Sequence, residues 1–242
     1  MSNVTSDDTA RWIALVAFSE LTLLDLVGPL QVLRGLDAPF QATVVAERLE
    51  PILTDTGVQI IPQMTFADVP RPHVVLIPGG PGSVAAMANQ GLQTYIRGAA
   101  EAATVVASIC TGALPLAATG LLEGRRVSVH WAYARELELL GARYERARFT
   151  EDGKFITSAG VSAGIDMALK LAAKLAGREI SHRIQLGLEY DPQPPFGGID
   201  WTQVGEKELT RQRQSGTGAR LARAQELLAS RPDLLRRLGL EQ

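Results

Sequence analysis

The sequence predicts an α/β fold, a parallel sheet covered by helices on both faces. Three observations carry that expectation. Short continuous apolar runs, such as residues 12–18 (WIALVAF), read as strands buried on both faces. Each run is followed by a segment with helical periodicity, and alternation of the two is the pattern of a parallel sheet. Glycine-rich turns close the runs at the points where strand would pass into helix.

The elements follow in order. After the 12–18 strand, Leu26, Leu30 and Leu33 recur at helical spacing, so a helix is expected from about Asp25 to just before Gly35, with Pro29 in its first turn. Residues 41–46 read as a second strand and 57–61 as a short accessory strand. Residues 73–83 (HVVLIPGGPGS) form a β-rich run ending in a glycine turn, and 89–101 reads as helix. Residues 104–122 run from strand through a turn into a helix of small residues. A helix is expected at 131–140, and a strand at 154–157 entered through the Asp152-Gly153 turn. Residues 161–177 make an amphipathic helix stopped by Gly177, and another helix follows at about 179–188. DPQPPFGG, at 191–198, cannot continue a helix. Residues 205–242 carry eight Lys/Arg and five Asp/Glu, with Leu and Ala at helical spacing, and read as one or two amphipathic helices packed on the domain or on a partner subunit. The expected organisation is a disordered stretch at 1–10, an α/β domain at 11–200 and a helical extension at 201–242.

Composition narrows the function. The chain has 242 residues, 46% hydrophobic and 21% charged, with a formal net charge of −2, the balance of a folded globular protein. Near-neutral charge argues against sequence-independent nucleic-acid binding, even with arginines at 211, 213, 220, 223 and 231. No apolar run is long enough to span a bilayer, and the polar start MSNVTSDDTARW is no secretory signal. A single cysteine allows neither an internal disulfide nor a multi-cysteine zinc site, and three histidines make a histidine-rich metal site a poor expectation. A cytoplasmic protein without a tightly held metal is expected. Neither a GxGxxG fingerprint nor a Walker loop is present.

In an open parallel sheet, ligands bind beyond the carboxyl ends of the strands. Asp25, Gly79-Gly80 and Cys110-Thr111 all fall at such ends. Cys110 sits between VVASI and TGALPLAA; either it is a buried structural thiol or the following helix stabilises its thiolate and lowers its pKa. Asp25, within Leu23-Leu24-Asp25-Leu26-Val27, is either a helix N-cap or an acid with a raised pKa. The glycines allow backbone N–H groups to approach an oxyanion closely. His130 ends the strand-like segment RRVSVH; of two readings, a base for the thiol and a packed histidine beside Trp131, the second is favoured. Asp166 falls where a first-turn acid favours a helix, and His73 and His182 have no motif context.

LDLVGPLQVL, VVLIPGGPGS, VASICTGALPLAATGLLEGRRVSVHWAY and SAGVSAGIDMALKLAAKLAG together resemble the PfpI/ThiJ superfamily, the class I glutamine amidotransferase-like proteins, over residues 11–200. Within it the sequence looks most like the isocyanide hydratases, on Asp25, on Cys110-Thr111-Gly112, on His130-Trp131, on AGIDMAL and on Leu188-Glu189-Tyr190. The resemblance implies a flavodoxin-like sandwich, a cysteine on a nucleophile elbow, and a homodimer. It also implies cofactor-free hydration of an isocyanide to a formamide through a covalent thioimidate. Cys110 would be the nucleophile and Asp25 the acid, with Thr111 and the N–H groups of Gly79 and Gly80 holding substrate or water. Sister groups fit less well. PfpI-type proteases carry His where Thr111 stands, and the His-x-Glu pair of glutamine amidotransferases is absent, because Arg183 and Ile184 follow His182. The DNA-binding region of AraC-type regulators needs about 100 residues, more than follow Asp200 here. A redox-sensing or binding protein, and a glyoxalase or deglycase acting on aldehydes, are the alternatives.

Overall fold

The computed structural model describes residues 10–240. The expected disordered stretch therefore lies outside the described residues, apart from Ala10. A seven-stranded sheet forms the centre, in the spatial order Phe149–Asp152, Phe155–Ser158, Val105–Ile109, Val74–Ile77, Arg11–Val16, Phe40–Ala46, Met64–Thr65. Every neighbouring pair is parallel except the first, a hairpin entered at Asp152-Gly153 as expected. Gly153 has a φ of +62°, a conformation open to glycine at no steric cost.

The apolar runs became inner strands because they are covered on both faces. All of Val74–Ile77 and Val105–Ile109 is buried. Burying a side chain such as Ile77 or Ile109 contributes about 1.5–3 kcal/mol, which outweighs the weak intrinsic strand preference of so short a segment. The helices Leu23–Leu33 and Ala163–Ala176 cover one face together, and Ala163–Ala176 is closed by Gly177 at φ +92°. Gln90–Ala102 starts at Asn89, whose side chain accepts the Leu92 N–H at 2.9 Å.

Two expectations need correction. The first helix starts at Leu23, not near Asp25, so Pro29 lies beyond its first turn. The Leu23 N–H, which has no partner inside the helix, donates to Asp55 Oδ1 at 3.0 Å, and this long-range contact sets the start. The accessory strand forms within the expected span, at Gln59–Ile60, and pairs with Ile52–Leu53 in a separate hairpin. The C-terminal region holds four short helices rather than one or two: Glu206–Arg213, Gly216–Leu221, Ala224–Leu227 and Pro232–Arg237. Gly216 (φ +55°) and Pro232 interrupt the periodicity. The region packs on its own domain, as one of the two readings had it. Arg213 pairs with the nearly buried Glu136, Arg220 pairs with Glu20, and Arg231 donates to the Met87 carbonyl at 3.0 Å.

Candidate active site

The strand order reverses at Arg11–Val16. The chain first winds outward to Phe40–Ala46, then returns to the other side at Val74–Ile77. This topological switch point opens a crevice at the carboxyl ends of those two strands. Asp25 enters from the helix after the first, Gly79-Gly80 from the turn after the second, and Cys110 from the end of the neighbouring Val105–Ile109.

Cys110 begins a three-residue 3₁₀ turn, Cys110–Gly112, that leads into the helix Ala113–Ala118. Its φ of +57° is strained for a residue with a side chain. The Cys110 N–H donates to the Ala159 carbonyl at 3.2 Å, which holds the bend. Gly112 is required for the bend, since a Cβ there would stand 2.2 Å from the Ile77 carbonyl oxygen. The turn is thus a tight strand-to-helix elbow that presents the thiol to a cavity of about 410 Å³. Thr111, His130, Tyr133, Val161 and Thr217 line the same cavity.

Asp25 is fully buried and interacts with the Cys110 thiol. Its Oδ2 accepts the Gly79 N–H at 2.9 Å, and its Oδ1 is buried without a hydrogen-bond partner. The N-cap of its helix is Thr22, so the capping alternative does not hold. Burial pushes the Asp25 carboxyl up to about 7; the Gly79 N–H and the thiol oppose that rise, and the charge of Asp55 adds to it.

The thiol behaves differently from the expectation of a lowered pKa. Burial, and then the negative charge of Asp25, push Cys110 well above the ordinary thiol value. The N–H groups of Val161 and Thr111 and the Thr111 side chain pull the other way, too weakly to win. Desolvation together with a like charge outweighs the dipole of a six-residue helix. Cys110 and Asp25 therefore titrate as a coupled pair that holds two protons below about pH 7 and one above it.

The glycine turn is also corrected. Neither N–H is free for an oxyanion: Gly79 donates to Asp25 Oδ2, and Gly80 donates to Thr111 Oγ1 at 2.9 Å. These glycines orient the two side chains beside the thiol. A Cβ on Gly79 would stand 2.5 Å from Thr111 N and 2.9 Å from Asp25 Oδ2. Thr111 Oγ1 lies 3.0 Å from Ser83 Oγ, 3.3 Å from the Gly80 carbonyl oxygen and 3.5 Å from Thr217 Oγ1. Its hydroxyl belongs to this scaffold, and its N–H faces the sulfur.

His130 packs against Trp131, with ring centroids 5.8 Å apart, as the favoured reading expected, and it also lines the cavity. Its Nδ1 accepts the Ala132 N–H at 3.3 Å, so Nε2 carries the proton. Burial pushes its pKa down to about 4, leaving the ring neutral near pH 7. Asp166 accepts hydrogen bonds from Arg148 Nε at 2.5 Å and from the Tyr190 hydroxyl at 3.0 Å, and His73 Nε2 lies 3.2 Å from Thr104 Oγ1.

Sequence reasoning did not find Tyr133, Val161 and Thr217. Thr217 Oγ1 donates to the Gly80 carbonyl at 2.9 Å, and Gly218 N–H donates to the Tyr133 hydroxyl oxygen at 2.9 Å. The C-terminal region therefore walls the cavity of its own chain. Only the spacing of Tyr133 after His130 was a local signal.

A fold of this topology, with a strained cysteine elbow beside a buried acid, is that of a known class. The chain belongs to the DJ-1/PfpI family, whose model matches residues 11–174. It is 42% identical over 187 residues to an isonitrile hydratase of Pseudomonas putida, covering 77% of this chain and 82% of that protein. A crystal structure of a ThiJ/PfpI family protein from Pseudomonas syringae superposes with a TM-score of 0.78 at 30% identity, over 95% of this chain and 90% of that one. Drosophila melanogaster DJ-1β shares the fold, with a TM-score of 0.68 at 24% identity over 76% of this chain and all of that one. Among the described residues, no helix is long and apolar enough to cross a membrane, and no group of three or more His, Cys, Asp or Glu is placed to hold a metal ion.

Proposed function

We propose that this protein hydrates isocyanides to N-substituted formamides, with Cys110 as nucleophile and Asp25 as proton donor. The observation that carries the reading is a juxtaposition: the fully buried Asp25 carboxyl lies against the Cys110 thiol at a strained elbow that opens into a cavity. The likeness to an isonitrile hydratase supports the same reaction.

The terminal carbon of R–NC accepts a nucleophile and must gain a proton. The thiol proton passes to Asp25 as the sulfur forms the S–C bond, and Asp25 delivers it to carbon. The product is the thioimidate R–N=CH–S–Cys110. Water then adds across C=N, the C–S bond breaks, and R–NH–CHO leaves while the pair recovers one proton from the water. The N–H groups of Val161 and Thr111, which face the sulfur, stabilise its charge during attack and departure.

This predicts a particular pH dependence. Below about pH 7 both members of the pair are protonated and no nucleophile forms; above it a single proton remains. With an alkyl isocyanide such as cyclohexyl isocyanide, kcat/KM should rise with pH through an apparent pKa near 7, then hold until the last proton leaves at strongly alkaline pH. His130 titrates too low to produce that limb. A rate that falls with pH through the neutral range would rule out the shared-proton mechanism.

A further inference from the structure

The proposed reaction leaves one proton unassigned. Asp25 delivers a proton to carbon in the first step, but the second step must place another on nitrogen. That donor has to face the cavity near the sulfur. Two cavity-lining side chains qualify by chemistry. The neutral His130 carries an Nε2–H but is partly exposed. Tyr133 is 3% exposed, and its hydroxyl is close enough to Cys110 to feel the thiolate charge.

The hydrogen bonds around Tyr133 decide the direction in which it works. Its oxygen already accepts the Gly218 N–H at 2.9 Å, so its O–H is left to donate. The neighbouring Thr217 hydroxyl donates to the Gly80 carbonyl at 2.9 Å, and with the Gly218 N–H it lowers the Tyr133 pKa against the rise from burial. An imine-type nitrogen entering the cavity is a stronger base than that hydroxyl and accepts from the Tyr133 O–H. The C-terminal segment thus aims the phenol, since both Thr217 and Gly218 belong to it.

We infer that Tyr133, aimed by Gly218 and Thr217, relays a proton from the attacking water to the thioimidate nitrogen; this rests on the hydratase reading above. As the water oxygen bonds to carbon, the C=N electron pair moves to nitrogen, which takes the phenolic proton. The phenolic oxygen takes a proton from the same water, so the sum is OH on carbon and H on nitrogen. The tetrahedral species then loses its O–H proton to the Asp25–Cys110 pair as the C–S bond breaks. Burial pushes the Tyr133 pKa up, so phenolate does not accumulate and the residue acts as a relay.

Tyr133→Phe removes the hydroxyl and keeps the ring. Thioimidate formation should persist while its hydrolysis slows, so kcat with cyclohexyl isocyanide should fall about 100-fold. Intact-mass measurement during turnover should show protein plus one isocyanide accumulating in the variant and not in the wild type. Arg220→Ala removes the ion pair to Glu20 and so loosens the C-terminal segment while leaving the phenol, Thr217 and Gly218 in place, and it should accumulate no adduct. Adduct in both variants would mean that tail loosening is the cause and would overturn the relay. Wild-type kcat in Tyr133→Phe without adduct would also overturn it, leaving the hydratase reading intact. No turnover by the wild type would remove both.

Discussion

Cys110→Ser should abolish formamide production while leaving the fold in place. The substitution is nearly isosteric, and the bond from the residue 110 N–H to the Ala159 carbonyl does not involve the side chain. The positive φ is retained at the same cost, because both residues carry a Cβ. A serine hydroxyl beside Asp25 is a far weaker nucleophile toward an isocyanide carbon than a thiol whose proton the acid can accept. Loss of a covalent nucleophile costs on the order of 10⁴–10⁶ in kcat. The variant should melt within a few degrees of the wild type, as followed by circular dichroism, and product analysis should find no formamide above the uncatalysed rate. Turnover retained within tenfold would exclude covalent catalysis at this residue.

Asp25→Asn has the second-largest expected effect, and it should trade activity for stability. Asn keeps the shape and can still accept the Gly79 N–H through its carbonyl oxygen, but it has no proton to deliver to carbon. Proton transfer by a positioned acid is worth about 10²–10⁴ in rate, and kcat should fall by that much. The stability effect follows from linkage. The folded-state pKa of Asp25 is raised from 3.8 to about 7, so below pH 3.8 ionisation of this group costs the fold nothing, and above about 7 the full cost of a buried charge is present. The wild type should therefore lose about 4 kcal/mol from this group as pH rises from 4 to 8, and the Asn variant should not. Against that, the Asn amide places an N–H₂ where Oδ1 has no partner, a pH-independent cost of about 1–3 kcal/mol. Urea unfolding at the two pH values gives the difference directly; an equal pH dependence in both proteins would mean that Asp25 is ionised without penalty. The same substitution removes the charge that holds the thiol up, so the Cys110 thiolate should appear at lower pH in Asp25→Asn.

Much of this architecture was legible because its causes are local. The run at 12–18 is apolar on every residue and the run at 104–109 on all but Thr104 and Ser108, a pattern that a strand covered on both faces can use, and the structure places strands of both runs inside the sheet. Cys110 and Asp25 could be found because parallel topology sends strand ends to one edge. What was not legible depends on contacts distant in sequence. A Gly-Gly turn advertises free N–H groups, but nothing local shows that Gly79 spends its own on Asp25, 54 residues away, or Gly80 on Thr111. The direction of the thiol shift was missed for the same kind of reason. A helix start can be read from sequence, whereas burial and the approach of Asp25 are set by the fold. Thr217 contacts the site across 106 residues of chain, in a segment whose arginines and leucines read only as a packed amphipathic surface.

The central claim is that Cys110 and Asp25 together add water to an isocyanide. The most direct test is incubation of the purified, reduced protein with cyclohexyl isocyanide, with formamide followed by chromatography and Cys110→Ala and Asp25→Asn run beside it. The account predicts catalytic formation of N-cyclohexylformamide by the wild type, none above background with Cys110→Ala, and a rate lowered at least about 100-fold with Asp25→Asn. A wild type with an intact, titratable thiol that forms no formamide, or a Cys110→Ala variant that forms it at the wild-type rate, would contradict the account.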